Sequence, residues 1–177
     1  MRKTAILICL LTSSLLLHAG DYPKSVQKRI DKTLVKLFPK MLVELKEMDL
    51  STELTSVYTS VRGVKVSRLK SADSELGYAC FASSKGKHDY FDYMVIFDKE
   101  LVIKKVKVLI YRSTYGGEIM SHSWLKQFIG ETNGQEMAMD KDIDGISGAT
   151  LSAPSITQGV KELSLLISDI NKSKESN

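Results

Sequence analysis

The stretch 75–113 leaves this chain the least choice of fold. It reads "ELGYACFAS", "SSKGKHD", "YFDYMVIFD", "DKE" and "LVIKKVKVLIYRS". Three runs rich in β-branched and aromatic residues are separated by polar turns of a few residues. Parallel strands need a crossover of a dozen residues or more, so these strands pair antiparallel. The run at 90–98 is apolar on both faces toward its end, as a strand covered on both sides would be. In 101–113, Val106, Val108 and Ile110 share one face while Lys105 and Lys107 take the other. Upstream, "SVYTSVRGVKVSRLK" (56–70) suits one or two more strands around Gly63.

Helical periodicity flanks this sheet. Val26, Ile30, Leu34, Leu37, Met41 and Leu45 recur at helical spacing, and Pro39 interrupts them. The pattern predicts two short helices, 22–38 and 40–48. Lys24, Lys28, Lys32, Lys36 and Lys40 form a second stripe. It reads as a solvated face, with attraction to an anionic membrane surface as the secondary alternative. After Gly116 and Gly117, the residues Met120, Trp124 and Phe128, with Leu125 and Ile129 beside them, predict a helix of about three turns stopped by Gly130. A loop follows, with a short strand expected at 136–139. A last helix opens near Ser152–Pro154, with Ile156, Val160, Leu163, Ile167 and Ile170 as its apolar stripe. Residues 173–177 form a polar tail. The architecture is α+β: an antiparallel sheet flanked by helices, two N-terminal and one C-terminal. Residues 21–70 (helices and first strands) and 71–172 (the core) form one compact domain.

The first twenty residues stand apart. Arg2 and Lys3 precede "AILICLLTSSLLL" and then "HAG", the pattern of a secretory signal cleaved near Ala19 or Gly20. The apolar run is shorter than the roughly 20 residues of a membrane-spanning helix, and a retained anchor is the alternative. This places the expected mature protein outside the cytoplasm, in a periplasm or on the outer side of the cytoplasmic membrane. Cleavage removes two cations, so the formal charge falls from +4 to 4 − 2 = +2. That is too small a bias to indicate nucleic acid. Cys9 goes with the signal, and Cys80 alone cannot form an internal disulfide; it reads as a small buried strand residue. His88 and His122 sit in different elements without neighbours at ligand spacing, and no metal site is expected. Asp140, Asp142 and Asp144 alternate but lack the remaining ligands of a calcium loop.

The chemistry concentrates in "DIDGISGATLSAPSIT" (142–157). Its residues are too small to build a core. Gly148 permits backbone conformations that side chains forbid, and Ser147 and Ala149 keep the surroundings uncrowded. Thr150 offers a hydroxyl just before a helix N-terminus, where free N–H groups favour an anion, phosphate above all. From these residues alone, a plain helix cap and a phosphate-bearing site both remain open.

"DGISGATLS" resembles the flavinylation motif of the FMN-binding domain family: Asp, two residues, Ser or Thr, Gly, Ala, then Ser or Thr. The matching positions are Asp144, Ser147, Gly148, Ala149 and Thr150. Related domains occur in flavin-carrying subunits of the Rnf complex and of the sodium-pumping NADH:quinone oxidoreductase. The likeness spans about 76–170, including the strand pair, the glycine turn and "WLKQFIG"; residues 22–70 match in outline. It implies FMN held by a phosphoester to Thr150, with Ser147, Gly148, Ala149, Leu151 and Ser152 around it. It implies Asp144 as a recognition residue for a flavin transferase that draws on FAD and Mg²⁺. It also implies N–H groups of Gly116, Gly117 and Glu118 near the flavin ring. The implied function is an exported electron-transfer protein exchanging electrons with membrane or extracytoplasmic partners. A flavin-dependent reductase of a small substrate and a non-redox binding module are the alternatives. One departure stands out: where the respiratory subunits read Glu-Thr-Pro-Gly, this chain has Ser113, Thr114, Tyr115 and Gly116. Tyr115 remains open between a ring contact and an exposed loop residue.

Overall fold

The computed structural model describes residues 22–175 except 73, 133, 135 and 136. The expected signal (1–20) and the end of the tail lie outside the described residues, as does part of the strand expected at 136–139. The elements run α1 (Lys24–Leu37), β1 (Glu44–Glu47), α2 (Thr52–Ser56), β2 (Arg62–Ser71), β3 (Ser74–Lys85), β4 (Tyr90–Asp98) and β5 (Ile103–Ile110). A 3₁₀ turn (Gly117–Met120), α3 (His122–Leu125) and a second 3₁₀ turn (Lys126–Phe128) follow, and α4 (Ser152–Glu175) closes the chain. The strands form one sheet in the order β1-β2-β3-β4-β5, every pair antiparallel. This is the fold class that the strand-turn pattern predicts.

Period-two alternation divides the core in two. Tyr78, Cys80, Tyr93, Val95, Val106 and Val108 face α4, where Ile156, Val160, Leu163 and Ile167 meet them. Ala79, Phe81, Met94, Ile96 and Leu109 face α1 and pack on Val26, Ile30 and Leu34. Both faces of β4 are therefore covered, and Phe91–Phe97 is buried throughout. Each large apolar side chain buried this way contributes about 1.5–3 kcal/mol. Cys80 is fully buried between strands, and burial pushes its thiol far up, so it stays protonated.

Polar contacts fix where α4 lies. Tyr58 donates to Asp169 Oδ2 at 2.7 Å, and the Ser60 N–H donates to Glu162 Oε2 at 2.9 Å. At Gly159 the helix comes so close to the sheet that a Cβ would strike the Tyr93 hydroxyl and, at 2.7 Å, Ser84 Oγ.

Two local expectations change. The second N-terminal helix is present, but it is α2, further along than 40–48. Its start is capped by Ser51, whose hydroxyl accepts from the Leu54 N–H at 3.2 Å. Within 40–48 the chain turns at Lys40 (φ 66°) and then forms β1, paired with β2 from Glu44↔Lys70 to Glu47↔Ser67. Strand pairing overrides the helical spacing that Met41 and Leu45 prolonged. Nor is the three-turn helix before Gly130 continuous. Ser121 is extended (ψ 124°) and divides it into a 3₁₀ turn, one α-turn and another 3₁₀ turn. Gly130 ends that segment at φ 98°, as expected.

Candidate functional site at the head of α4

The meander brings the β3–β4 turn and the end of β5 to the sheet end where α4 begins. Tyr111, one residue beyond β5, donates its hydroxyl proton to the Tyr115 carbonyl at 2.6 Å. Its oxygen lies 2.8 Å from Ser152 Oγ. Tyr111 has one proton and it is committed, so Ser152 is the donor in that second bond. Ser152 thus ties the glycine turn to the helix. From the other side Gly86 approaches, its Cβ position 3.5 Å from Ser152 Oγ.

The glycine turn fits only because it lacks side chains. Gly116 is left-handed (φ 84°), and a Cβ there would lie 2.5 Å from the Tyr111 hydroxyl and 2.6 Å from Ser152 Oγ. Gly148 is likewise left-handed (φ 88°), and its Cβ would lie 2.6 Å from a Glu118 carboxylate oxygen. The two glycine segments, far apart in sequence, therefore sit against each other.

The segment 144–150 is pinned at its ends and open between them. Trp124 Nε1–H donates to the Asp144 carbonyl at 2.8 Å, and the Asp144 N–H donates to Gln127 Oε1 at 2.8 Å. Ala149 is buried, its N–H turned to the Ile146 carbonyl at 3.2 Å. Asp144, Ser147, Gly148 and Thr150 are exposed. The first backbone bond into α4 runs from the Ala153 N–H to the Ala149 carbonyl at 2.8 Å. Among the described residues, no protein acceptor takes the N–H groups of Thr150, Leu151 or Ser152. Three free donors at the head of a 24-residue helix form an anion-favouring end.

These pieces enclose a cleft of about 170 Å³ walled by Lys87, Tyr115, Gly116 and residues 148–152. Lys87 Nζ lies 5.2 Å from the Tyr115 ring centre, a cation over an aromatic face. Tyr115 itself is 63% exposed, and Leu151, 57% exposed, stands on the same rim. The cleft thus combines a cation, three unpaired N–H groups and the free Thr150 hydroxyl, a donor set suited to a phosphate ester.

Residues 86–164 match the sequence model of the FMN-binding domain family. Over that span the chain carries an FMN-binding domain. The cofactor of this domain is therefore FMN. No curated protein matches the chain. The FMN-binding domain begins at the β3–β4 turn and ends within α4, so it includes every wall of the cleft.

Of the residues that the sequence pattern singled out, all but Ser147 and Asp144 line the cleft or directly follow its glycine turn; Ser147 is exposed just before Gly148. Gly116, Gly148, Ala149, Thr150, Leu151 and Ser152 line the cleft. Gly117 and Glu118 follow directly in the 3₁₀ turn, and the Glu118 carboxylate lies over Gly148. Asp144 is held outside the cleft walls, exposed on the approach to the turn. Three contributors escaped the sequence reading: Lys87, Tyr111 and the Glu118 side chain. Their signal was topological. In an antiparallel meander the end of β3, the start of β4 and the end of β5 share one end of the sheet. Among the described residues, no group of three or more His, Cys, Asp or Glu is placed to hold a metal ion. Asp142 instead accepts the Ala138 N–H at 3.1 Å.

Proposed function

We propose that this protein is an exported electron carrier whose FMN is bound covalently through the Thr150 hydroxyl. One observation carries the reading: an exposed threonine in an anion-favouring cleft at the head of α4, inside an FMN-binding domain. When bound, FMN supplies one- and two-electron redox chemistry that side chains lack. The chain's own part is attachment and orientation. Lys87 and the N–H groups of residues 150–152 neutralise the phosphate; each charge-assisted bond contributes about 1.5–3 kcal/mol. Gly116 and Gly148 let the cleft walls close against Tyr111, Ser152 and Glu118.

Attachment follows from the motif. The Thr150 hydroxyl oxygen forms a P–O bond to the FMN phosphorus of FAD, the pyrophosphate bond breaks, AMP leaves, and the hydroxyl proton is released. A flavin transferase catalyses this step. Asp144, exposed and pinned only through its backbone, is the side chain offered for its recognition.

Carrier chemistry suits the size of the cleft. At about 170 Å³ it is smaller than the roughly 300–1,000 Å³ of pockets that enclose a whole ligand. A phosphate and its chain fit; an enclosed second substrate does not. An open cofactor edge favours electron exchange with a partner. The basic and apolar start of the sequence, Arg2 to Leu17, supports export. Among the described residues no helix is long and apolar enough to cross a membrane.

The test is co-expression with a flavin transferase and export, followed by intact mass and flavin fluorescence in a denaturing gel. The parent chain should gain one FMN phosphoester, and Thr150→Ala should lose both mass gain and fluorescence. Equal flavin on Thr150→Ala would overturn the attachment.

A further inference from the structure

A second cleft lies on the opposite face of the edge strand β5. It measures about 330 Å³ and opens between α1, β5 and α3. Thr33, Lys36 and Leu37 form one wall, Lys105, Val106 and Lys107 the floor, and Met120, His122 and Leu125 the other wall. Its lysines come from α1 and β5, with His122 of α3 beside them, and none of these has a carboxylate partner among the described residues. The neighbouring Lys104 does have one, at 3.7 Å from Asp98, and Arg112 pairs with Asp92 at 2.6 Å. Among the described residues, the only hydrogen bond from Lys107 Nζ goes to the Thr33 hydroxyl at 3.3 Å.

Among the described residues, the charges that shift Lys105, Lys107 and His122 are all positive. Burial lowers Lys105 and Lys107, and neighbouring cations lower them further: Lys126 and Lys36 for the first, Lys105, Arg29, Lys36 and Lys32 for the second. Lys105, then burial, then Lys126, Lys36 and Lys107 lower His122. α1 thus contributes Arg29, Lys32 and Lys36, β5 contributes Lys105 and Lys107, and the α3 segment contributes His122 and Lys126. A chain with 21 acidic residues does not lack carboxylates to place here. Cations left together around a concave surface mark a place where an anion supplies the missing charge. Apolar Leu37, Val106, Met120 and Leu125 line the same space, as in sites for organic ligands.

We propose that the cleft between α1, β5 and α3 binds a small organic anion bearing two or more carboxylate groups on an apolar body. The site is independent of the Thr150 cleft and of any flavin there. A bound polyanion favours the protonated forms of His122 and both lysines, so binding takes up protons and strengthens as pH falls.

Calorimetric titration of the purified full-length chain with tricarballylate tests this, with inorganic phosphate as the comparison. We expect saturable one-to-one binding, at least tenfold weaker for phosphate. Lys105→Gln and Lys36→Gln, from different elements, should each weaken tricarballylate tenfold or more. Lys28→Gln, exposed elsewhere on α1, and Thr150→Ala should leave binding unchanged. Affinity should rise between pH 8 and pH 6, and His122→Gln should flatten that rise. Circular dichroism establishes that each variant is folded. Three results would overturn the proposal: no saturation, phosphate binding equally well, or indifference to both lysine variants. Failure of this test leaves Thr150 flavinylation untouched, since the two clefts share no lining residue.

Discussion

Gly116 shows how much of the site depends on one missing methyl group. Its left-handed backbone and the tight approach of Tyr111 and Ser152 both exclude a side chain. Gly116→Ala should therefore cost about 2 kcal/mol, measured as a lowered urea midpoint. It should also reduce FMN incorporation, because Tyr111 and Ser152 must separate to admit the new atom. Thr150→Ala removes a single exposed oxygen and should leave the urea midpoint within about 0.5 kcal/mol of the parent. The two variants thus separate loss of the cleft from loss of the attachment atom. Thr150, Gly148 and Gly116 were legible in the sequence because small residues in a chain announce themselves. Tyr111 was not, since a tyrosine after a strand looks like any other until its hydroxyl finds Ser152 from 41 residues away.

At the scale of elements, the short α3 is the part that periodicity misjudged and that matters most. Met120, Trp124 and Phe128 have the spacing of one continuous helix, yet the extended Ser121 interrupts it. Trp124 and Phe128 still meet edge to face, 5.5 Å apart, and anchor the segment in the core. Met120 is left half exposed on the wall of the basic cleft. The break also aims the Trp124 indole N–H at the Asp144 carbonyl. Trp124→Phe should cost about 1 kcal/mol for the lost, part-buried hydrogen bond. It should slow flavinylation in a timed assay with transferase in limiting amount, because the turn carrying Asp144 loses one of its two ties. β1 failed to show itself for a different reason. Its sequence, "ELKE", has one apolar residue and no strand signal, and only pairing with β2 makes it a strand. The long strands β3 and β4 were legible because both faces of each carry the alternation themselves; β5 was legible through Val106 and Val108, but beyond a register shift Ile110 packs on the α1 side instead of sharing their face as expected.

For the molecule as a whole, stability is tied to buried phenols. Tyr22 packs on Phe81 with ring centres 6.0 Å apart, and burial, followed by the charge of Asp92, pushes its hydroxyl up to about 12. Tyr58 and Tyr93 are raised in the same direction, mainly by burial. A phenol whose folded value lies above its unfolded value of 10.0 keeps its proton longer in the native state. Its contribution is complete below pH 10 and is lost as pH rises toward 12. Urea midpoints between pH 9 and pH 12 should therefore fall less steeply for Tyr22→Phe than for the parent. An equal slope would mean that Tyr22 is not shielded in solution. The Tyr111–Ser152 bond has a consequence in time as well as in space. Each strand of the meander pairs with the one synthesised just before it, so the sheet can assemble from its beginning. The walls of the cleft meet only when the last helix docks. A transferase reading those walls would find its target on completed molecules alone, and a chain bearing FMN would be one that had already finished folding.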